Sequence, residues 1–184
     1  MSAEEPTGRV MHFLPIGPTS DRESAMTATP SMQEYQEFYT VYGECFSAWS
    51  DVESHLLAVF IFLLRSPDYS AASAVFYSTV GFRAKLSMVD EVVTNSKSVH
   101  TDNLTEWKSI NSEASKKSRR RNELAHNTVF YGRLNGIGSR KMFVGDPRTP
   151  SEASRLHTHD LGEVRDSFYS LGKRVFGFWQ RLQN

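Results

Sequence analysis

With 184 residues, 39% of them apolar and 12% aromatic, the chain can bury a core of its own without disulfides or metals. Its 21 basic residues balance 21 acidic ones, which excludes a global pull toward nucleic acid or membrane but leaves local patches open. Cys45 is the single cysteine, so an internal disulfide is ruled out and a reducing compartment is favoured.

Residues 1–30 are rich in Thr, Ser, Pro and Gly and show neither a helical nor a strand period. They read as a flexible N-terminal arm, with Val10-Met11-His12-Phe13-Leu14 as a local anchor, ahead of a helical domain over 31–184. The arm does not begin with a basic stretch followed by an apolar run, so no secretion signal is expected. The longest apolar run, Leu56 to Leu64, falls far short of the roughly 20 residues that span a membrane. The expectation is a soluble, cytoplasmic protein without membrane contact.

Ser31, followed three residues later by Glu34, predicts the start of a first long helix. Tyr35, Phe38, Tyr42, Cys45, Trp49, Val52, Leu56, Val59 and Leu63 then recur at helical spacing up to Pro67. A second helix is predicted over 70–94, with Val75, Phe82, Leu86, Val89 and Val93 inward and Gly81 permitting close helix approach. A third begins near Thr101 and buries Leu104, Trp107, Ile110 and Ala114. It turns polar through Lys116-Lys117-Ser118-Arg119-Arg120-Arg121 and fades near Val129. Asn135-Gly136, between Val129-Phe130-Tyr131 and Lys141-Met142-Phe143-Val144, predicts a small hairpin. Leu161, Val164, Phe168, Leu171, Val175, Phe178 and Leu182 mark a strongly amphipathic last helix over 159–182. The predicted architecture is all-α: an antiparallel four- to five-helix bundle with a small β-hairpin inserted before the last helix.

Chemistry concentrates in Arg121-Asn122-Glu123-Leu124-Ala125-His126. Asn122 and His126 are four apart and share a helical face, whereas Arg121 must reach across. Histidine moves protons near neutral pH. Arginine grips phosphate oxygens bidentately and stabilises charge developing there. Asparagine can orient the imidazole or bond the substrate. Such a set suits phosphodiester cleavage by a ribose 2′-hydroxyl, with no metal or other cofactor. The same residues also admit a plain reading, with His126 closing a helix against its dipole and Arg121 in a salt bridge.

Arg121-Asn122-x-x-x-His126 on a late helix resembles the signature of the HEPN superfamily. Trp49-x-x-Val52-Glu53-x-x-Leu56, Ser78-x-x-Gly81-Phe82-Arg83-Ala84-Lys85-Leu86 and Trp107 look like the wider pattern of small bacterial members, over residues 35–182. The resemblance implies a helical bundle, a homodimer with paired Arg-His segments lining one cleft, and metal-independent endoribonuclease activity. It also implies a toxin or phage-defence setting, with a cognate antitoxin as partner. Carried over, His126 is the acid-base residue or positions the 2′-hydroxyl, Arg121 holds the scissile phosphate and Asn122 is the polar helper. The alternative is a non-catalytic domain that binds a nucleotide or protein in the same cleft.

Lys116, Lys117, Arg119 and Arg120 are the candidate contacts to RNA backbone, or else a solvated face. Glu53 and Lys85 are read as structural support, bracing the site or pairing with Arg121. His157 and His159 lack the carboxylate or cysteine company a zinc site needs, and read as a loop and helix start. Phe38, Trp49, Phe60, Phe82, Trp107, Phe168 and Trp179 fall mostly on helical stripes and read as core or dimer interface before base-stacking platforms.

Overall fold

A computed structural model describes residues 29–134, 137–148 and 155–184. Most of the expected N-terminal arm, its anchor and the Asn135-Gly136 turn lie outside the described residues. The described residues form five helices and one two-stranded hairpin: α1 (Met32–Leu64), α2 (Tyr69–Ser78), α3 (Phe82–Asn95), α4 (Thr101–His126), β1 (Thr128–Leu134), β2 (Ile137–Gly145) and α5 (Thr158–Leu182).

Helix α1 begins as the sequence predicts, with the Ser31 hydroxyl accepting the Glu34 amide at 3.1 Å. It ends at Arg65 in the left-handed conformation, two residues before Pro67. Its buried stripe follows the heptad-like spacing: Phe38, Cys45, Trp49, Val52, Leu56, Val59 and Leu63. By length and composition alone α1 could cross a membrane. Here that stripe belongs to the core, packed by buried side chains of α3, α4 and α5.

The single helix expected over 70–94 is two helices. Gly81 interrupts it at φ 82°, a conformation L side chains rarely adopt, and stands at the N-terminus of α3. No neighbour comes within 4 Å of where its Cβ would be, so the glycine serves the backbone rather than close helix approach. The break also shifts the helical phase. Val75, expected inside, is exposed, and Phe76 is buried in its place.

This break sets the topology. Phe76 of α2 stacks near Phe60 of α1 (centroids 5.9 Å), while Phe82 at the start of α3 lies against Trp49 (4.5 Å). The chain therefore travels back along α1 through α2 before α3 turns forward again. Helix α4 runs back beside α3, joined by the Trp107 indole donating to Asp90 at 2.7 Å. Helix α5 runs forward beside α4, as the pairs Glu106–Arg181 and Glu113–Arg174 and the Lys117 bond to the Ser167 carbonyl require.

The most extensive packing joins α1 and α5. Cys45 meets Leu161, Trp49 meets Phe168 and His55 meets Gly172, so these two helices run parallel. The expected antiparallel arrangement holds between consecutive helices and is corrected for α1 against α5 and α1 against α3. The reason is the extra reversal at Gly81, which puts α3, and then α5, in the same direction as α1.

The hairpin follows α4 as predicted and pairs Val129 with Val144, Phe130 with Phe143 and Tyr131 with Met142. Leu156 adds a further bridge to Val144, with both amides bonded at 2.9 Å. At the start of α5 the His157 amide donates to the Asp160 carboxylate at 2.8 Å, and the His157 ring nitrogen Nδ1 lies 3.1 Å from the Met142 carbonyl. The Glu34 carboxylate accepts the Met142 amide at 3.3 Å. The hairpin is thus tied to the starts of both α1 and α5, at the end of the molecule where α4 stops.

Candidate functional site

Helix α4 ends at His126, and Asn127 closes it with its amide bonded to the Glu123 carbonyl at 3.0 Å. Only Leu124 of this last stretch is fully buried. It anchors the turn in the core and leaves the residues around it outward. The Tyr42 hydroxyl of α1 donates to the Leu124 carbonyl at 2.9 Å, satisfying one of the four carbonyls a helix end leaves unpaired.

Asn122 and His126 are exposed and share a face, as their spacing predicts. Arg121 is half-buried. Its Nη1 lies 3.4 Å from the Asn122 side-chain oxygen, and its Nε is shut off from solvent with no hydrogen-bond partner among the described residues. Arg121 and His126 are separated by roughly 7.5 Å of helical rise and lie on different sides of the axis. Neither Arg121 nor His126 has a carboxylate partner among the described residues.

The basic run is divided rather than continuous. Lys117 pairs with Glu113 at 3.1 Å and Arg120 with Glu123 at 2.6 Å, each on its own helix. Lys116, Lys117 and Arg120 line a half-open cleft of about 480 Å³ between α4 and α5. Arg119 lines another, of about 530 Å³, between α3 and α4, and Lys116 reaches both. Arg121, Asn122 and His126 line neither cleft. On one copy of the chain they form an open helical surface.

Glu53 and Lys85 do not reach this surface. Lys85 pairs with Glu53 at 2.7 Å, and the other Glu53 oxygen accepts the Trp49 indole at 3.0 Å. Tyr42, at the level of Leu124, precedes Glu53 by 11 residues, or about 16 Å of helix. Pairing of these residues with Arg121 is therefore excluded, and they brace the α1–α3 seam instead. His157 is occupied at the start of α5, and His159 is exposed, its pKa raised by a hydrogen bond to its own backbone and then by the nearby Glu163 carboxylate. Among the described residues no group of three or more His, Cys, Asp or Glu could hold a metal ion.

Two residues escaped the sequence reading. Tyr42 counted only as a stripe residue, though a phenol among buried neighbours signals a hydroxyl in need of an acceptor. Arg155 gave no signal. It reaches the α4–α5 cleft only because Leu156 pairs with Val144. Compared with known proteins, the chain matches no family model, no curated protein and no solved structure.

Proposed function

We propose that the chain is a metal-independent endoribonuclease of the HEPN type, acting as a cytoplasmic homodimer. The Arg121-Asn122-x-x-x-His126 segments of two copies face one another across a shared cleft. The observation that carries this reading is the state of Arg121. Lys117 and Arg120 beside it are neutralised by glutamates, whereas the Arg121 guanidinium has no carboxylate and stands on the same closing turns as an exposed histidine. An unneutralised guanidinium next to a proton-transfer group suits a phosphodiester.

In this mechanism His126 takes the proton of the ribose 2′-hydroxyl, and the 2′-oxygen attacks phosphorus. The bond from phosphorus to the 5′-oxygen breaks, and the leaving oxygen is protonated by an acid in the cleft. Arg121 holds the non-bridging oxygens as charge builds on them. Asn122 orients the substrate or the imidazole. Lys116 and Arg119, and more weakly the glutamate-paired Lys117 and Arg120, supply positive charge along the approach.

A paired cleft is supported by the openness of the surface on one copy, which does little by itself to exclude water. It is also supported by exposed apolar side chains on the first turns of α1. Met32, Tyr35 and Tyr39 remain 71%, 42% and 36% exposed on the helix that Tyr42 links to the last turn of α4. Five helices around one core support the four- to five-helix bundle of that superfamily. A toxin or defence role, with a cognate antitoxin as partner, belongs to the same proposal.

The test is cleavage of diverse RNAs in EDTA by the wild type, His126→Ala and Arg121→Ala. The expected products carry a 2′,3′-cyclic phosphate and a 5′-hydroxyl, and each substitution lowers the rate by about 100-fold or more. Equal cleavage by all three, or none by the wild type, sinks the reading. Light scattering at micromolar concentration checks the dimer, and a clean monomer removes the shared cleft.

A further inference from the structure

The cleft between α4 and α5 holds an arginine that the proposed cleavage chemistry does not use, Arg155. Four cationic side chains line it: Lys116, Lys117 and Arg120 from α4, and Arg155 from the segment bridging β2 to α5. Two carboxylates, Asp160 and Glu163, lie on its α5 side. Asp160 is already committed, since it accepts the His157 amide at 2.8 Å, and Glu163 is mostly exposed beside His159. The cleft retains a positive excess on its α4 side, where Lys116 has no ion-pair partner among the described residues.

Arg155 is the decisive residue. Its guanidinium carbon sits over the Phe143 ring, 4.6 Å from the centroid, a cation–π contact that holds the group in place. Its Nε and Nη1 are shut off from solvent and have no hydrogen-bond partner among the described residues. Withdrawn donors of a permanent cation without an acceptor are unfavourable, and an anion that draws the guanidinium toward the cleft relieves them. A planar guanidinium matches phosphate better than an ammonium does. The opening of about 480 Å³ accommodates more than a bare ion.

We propose that this cleft is a phosphate-binding site, in which Arg155 and Lys116 grip the phosphate of a mononucleotide or of a single-stranded RNA chain. The site is distinct from the Arg121–His126 surface and does not depend on the chain being a ribonuclease.

The experiment is calorimetric titration of the full chain at low salt with inorganic phosphate, uridine 5′-monophosphate and a 2′-O-methyl uridine octanucleotide. The octanucleotide cannot supply the 2′-hydroxyl, so binding is measured apart from cleavage. At least one probe is expected to bind, with Arg155→Gln weakening it by about tenfold or more, as loss of a charge-assisted hydrogen bond requires. Lys116→Gln, whose side chain is exposed, is expected to weaken it by about threefold. Lys108→Gln removes the same charge from the other cleft and is expected to leave binding within about twofold.

Binding of the octanucleotide, with the mononucleotide competing, identifies the chain as the source of the phosphate. Binding of the mononucleotide alone identifies a free nucleotide. Thermal melting verifies that Arg155→Gln folds, and if it does not, Lys116→Gln decides. The site is overturned if no probe binds at millimolar concentration. It is also overturned if Lys116→Gln binds like wild type, if a folded Arg155→Gln does so, or if Lys108→Gln loses as much as they do. Because the cleavage test reads Arg121 and His126 and this one reads Arg155 and Lys116, either proposal can fail alone.

Discussion

The Tyr42 hydroxyl donates to the Leu124 carbonyl 2.9 Å away, fastening the first half of α1 to the turn that carries Arg121 and His126. Burial pushes the Tyr42 phenol above its ordinary range, so it stays a donor throughout the neutral region. Tyr42→Phe removes the donor and leaves a helix-end carbonyl without its partner. The expected loss is about 1 kcal/mol in urea denaturation. Amide exchange over residues 123–127 should accelerate more than exchange in the middle of α4. Unchanged exchange there would show that Leu124 packing alone holds the turn.

The long periodic elements were legible because burial enforces their period. The stripes of α1 and α5 emerge residue for residue at Trp49, Val52, Leu56, Phe168, Leu171 and Val175. The break at Gly81 was not legible. Helical spacing continues across it from Val75 through Phe82 to Val93, and one glycine is tolerated inside many helices. Whether it adopts a positive φ depends on α2 and α3 folding back along α1, which is tertiary information. The shared face of Asn122 and His126 followed from their spacing. The separation of Arg119 from Lys116, Lys117 and Arg120 into different clefts depends on which neighbour each side of α4 meets. A run of basic letters does not encode that.

The Glu53–Lys85 pair illustrates the same limit, and it yields a second prediction. Its side chains are only 17% and 13% exposed, and the Lys85 ammonium lies over the rings of Phe76 and Tyr77 at 5.5 and 5.1 Å. Glu53→Ala leaves that charge in a poorly hydrated place and takes the acceptor from Trp49. The expected cost is about 3 kcal/mol by chemical denaturation, near the low end for breaking a buried pair. Glu53→Gln keeps an oxygen for the indole and should cost less. Neither change should alter the RNA cleavage rate of the folded fraction, because the pair braces α1 against α3 away from α4's end. A specific loss of activity in a fully folded Glu53→Gln protein would contradict that assignment.

Two glycines should respond to alanine with opposite signs. Gly81 sits at φ 82° and ψ 144°, so alanine there is strained although space is open around it. Gly81→Ala is expected to destabilise by about 1–3 kcal/mol. Gly43 lies within α1 on an exposed face, with no positive φ and nothing within 4 Å of the place an added methyl would take. Gly43→Ala should stabilise by about 0.5–1 kcal/mol through helix propensity. Thermal melting of the two variants beside wild type reads both signs. A stabilising Gly81→Ala would mean that α2 and α3 can merge into the single helix their sequence pattern suggests.

Cys45 sits fully buried between α1 and α5, its thiol donating to the Leu161 carbonyl at 3.3 Å. Burial raises its pKa from 9.0 to about 11, despite the opposing influence of the Arg165 guanidinium. In the unfolded chain the thiol ionises near 9, whereas in the folded protein it stays protonated to about 11. Between those values the unfolded state binds fewer protons, so the contribution of Cys45 is intact below pH 9 and is lost as pH rises through 11. The loss reaches up to about 3 kcal/mol. Tyr39 and Tyr42 are shifted in the same direction by burial, so the comparison must be with Cys45→Ala, which retains both tyrosines. Urea denaturation of the two proteins at pH 8, 9, 10 and 11 should show the advantage of wild type over Cys45→Ala shrinking steadily. Alkylation of Cys45 at pH 8 should meanwhile proceed only as fast as the protein opens. A constant stability difference across that range, or rapid alkylation of the folded chain, would mean that the α1–α5 seam admits water at the thiol.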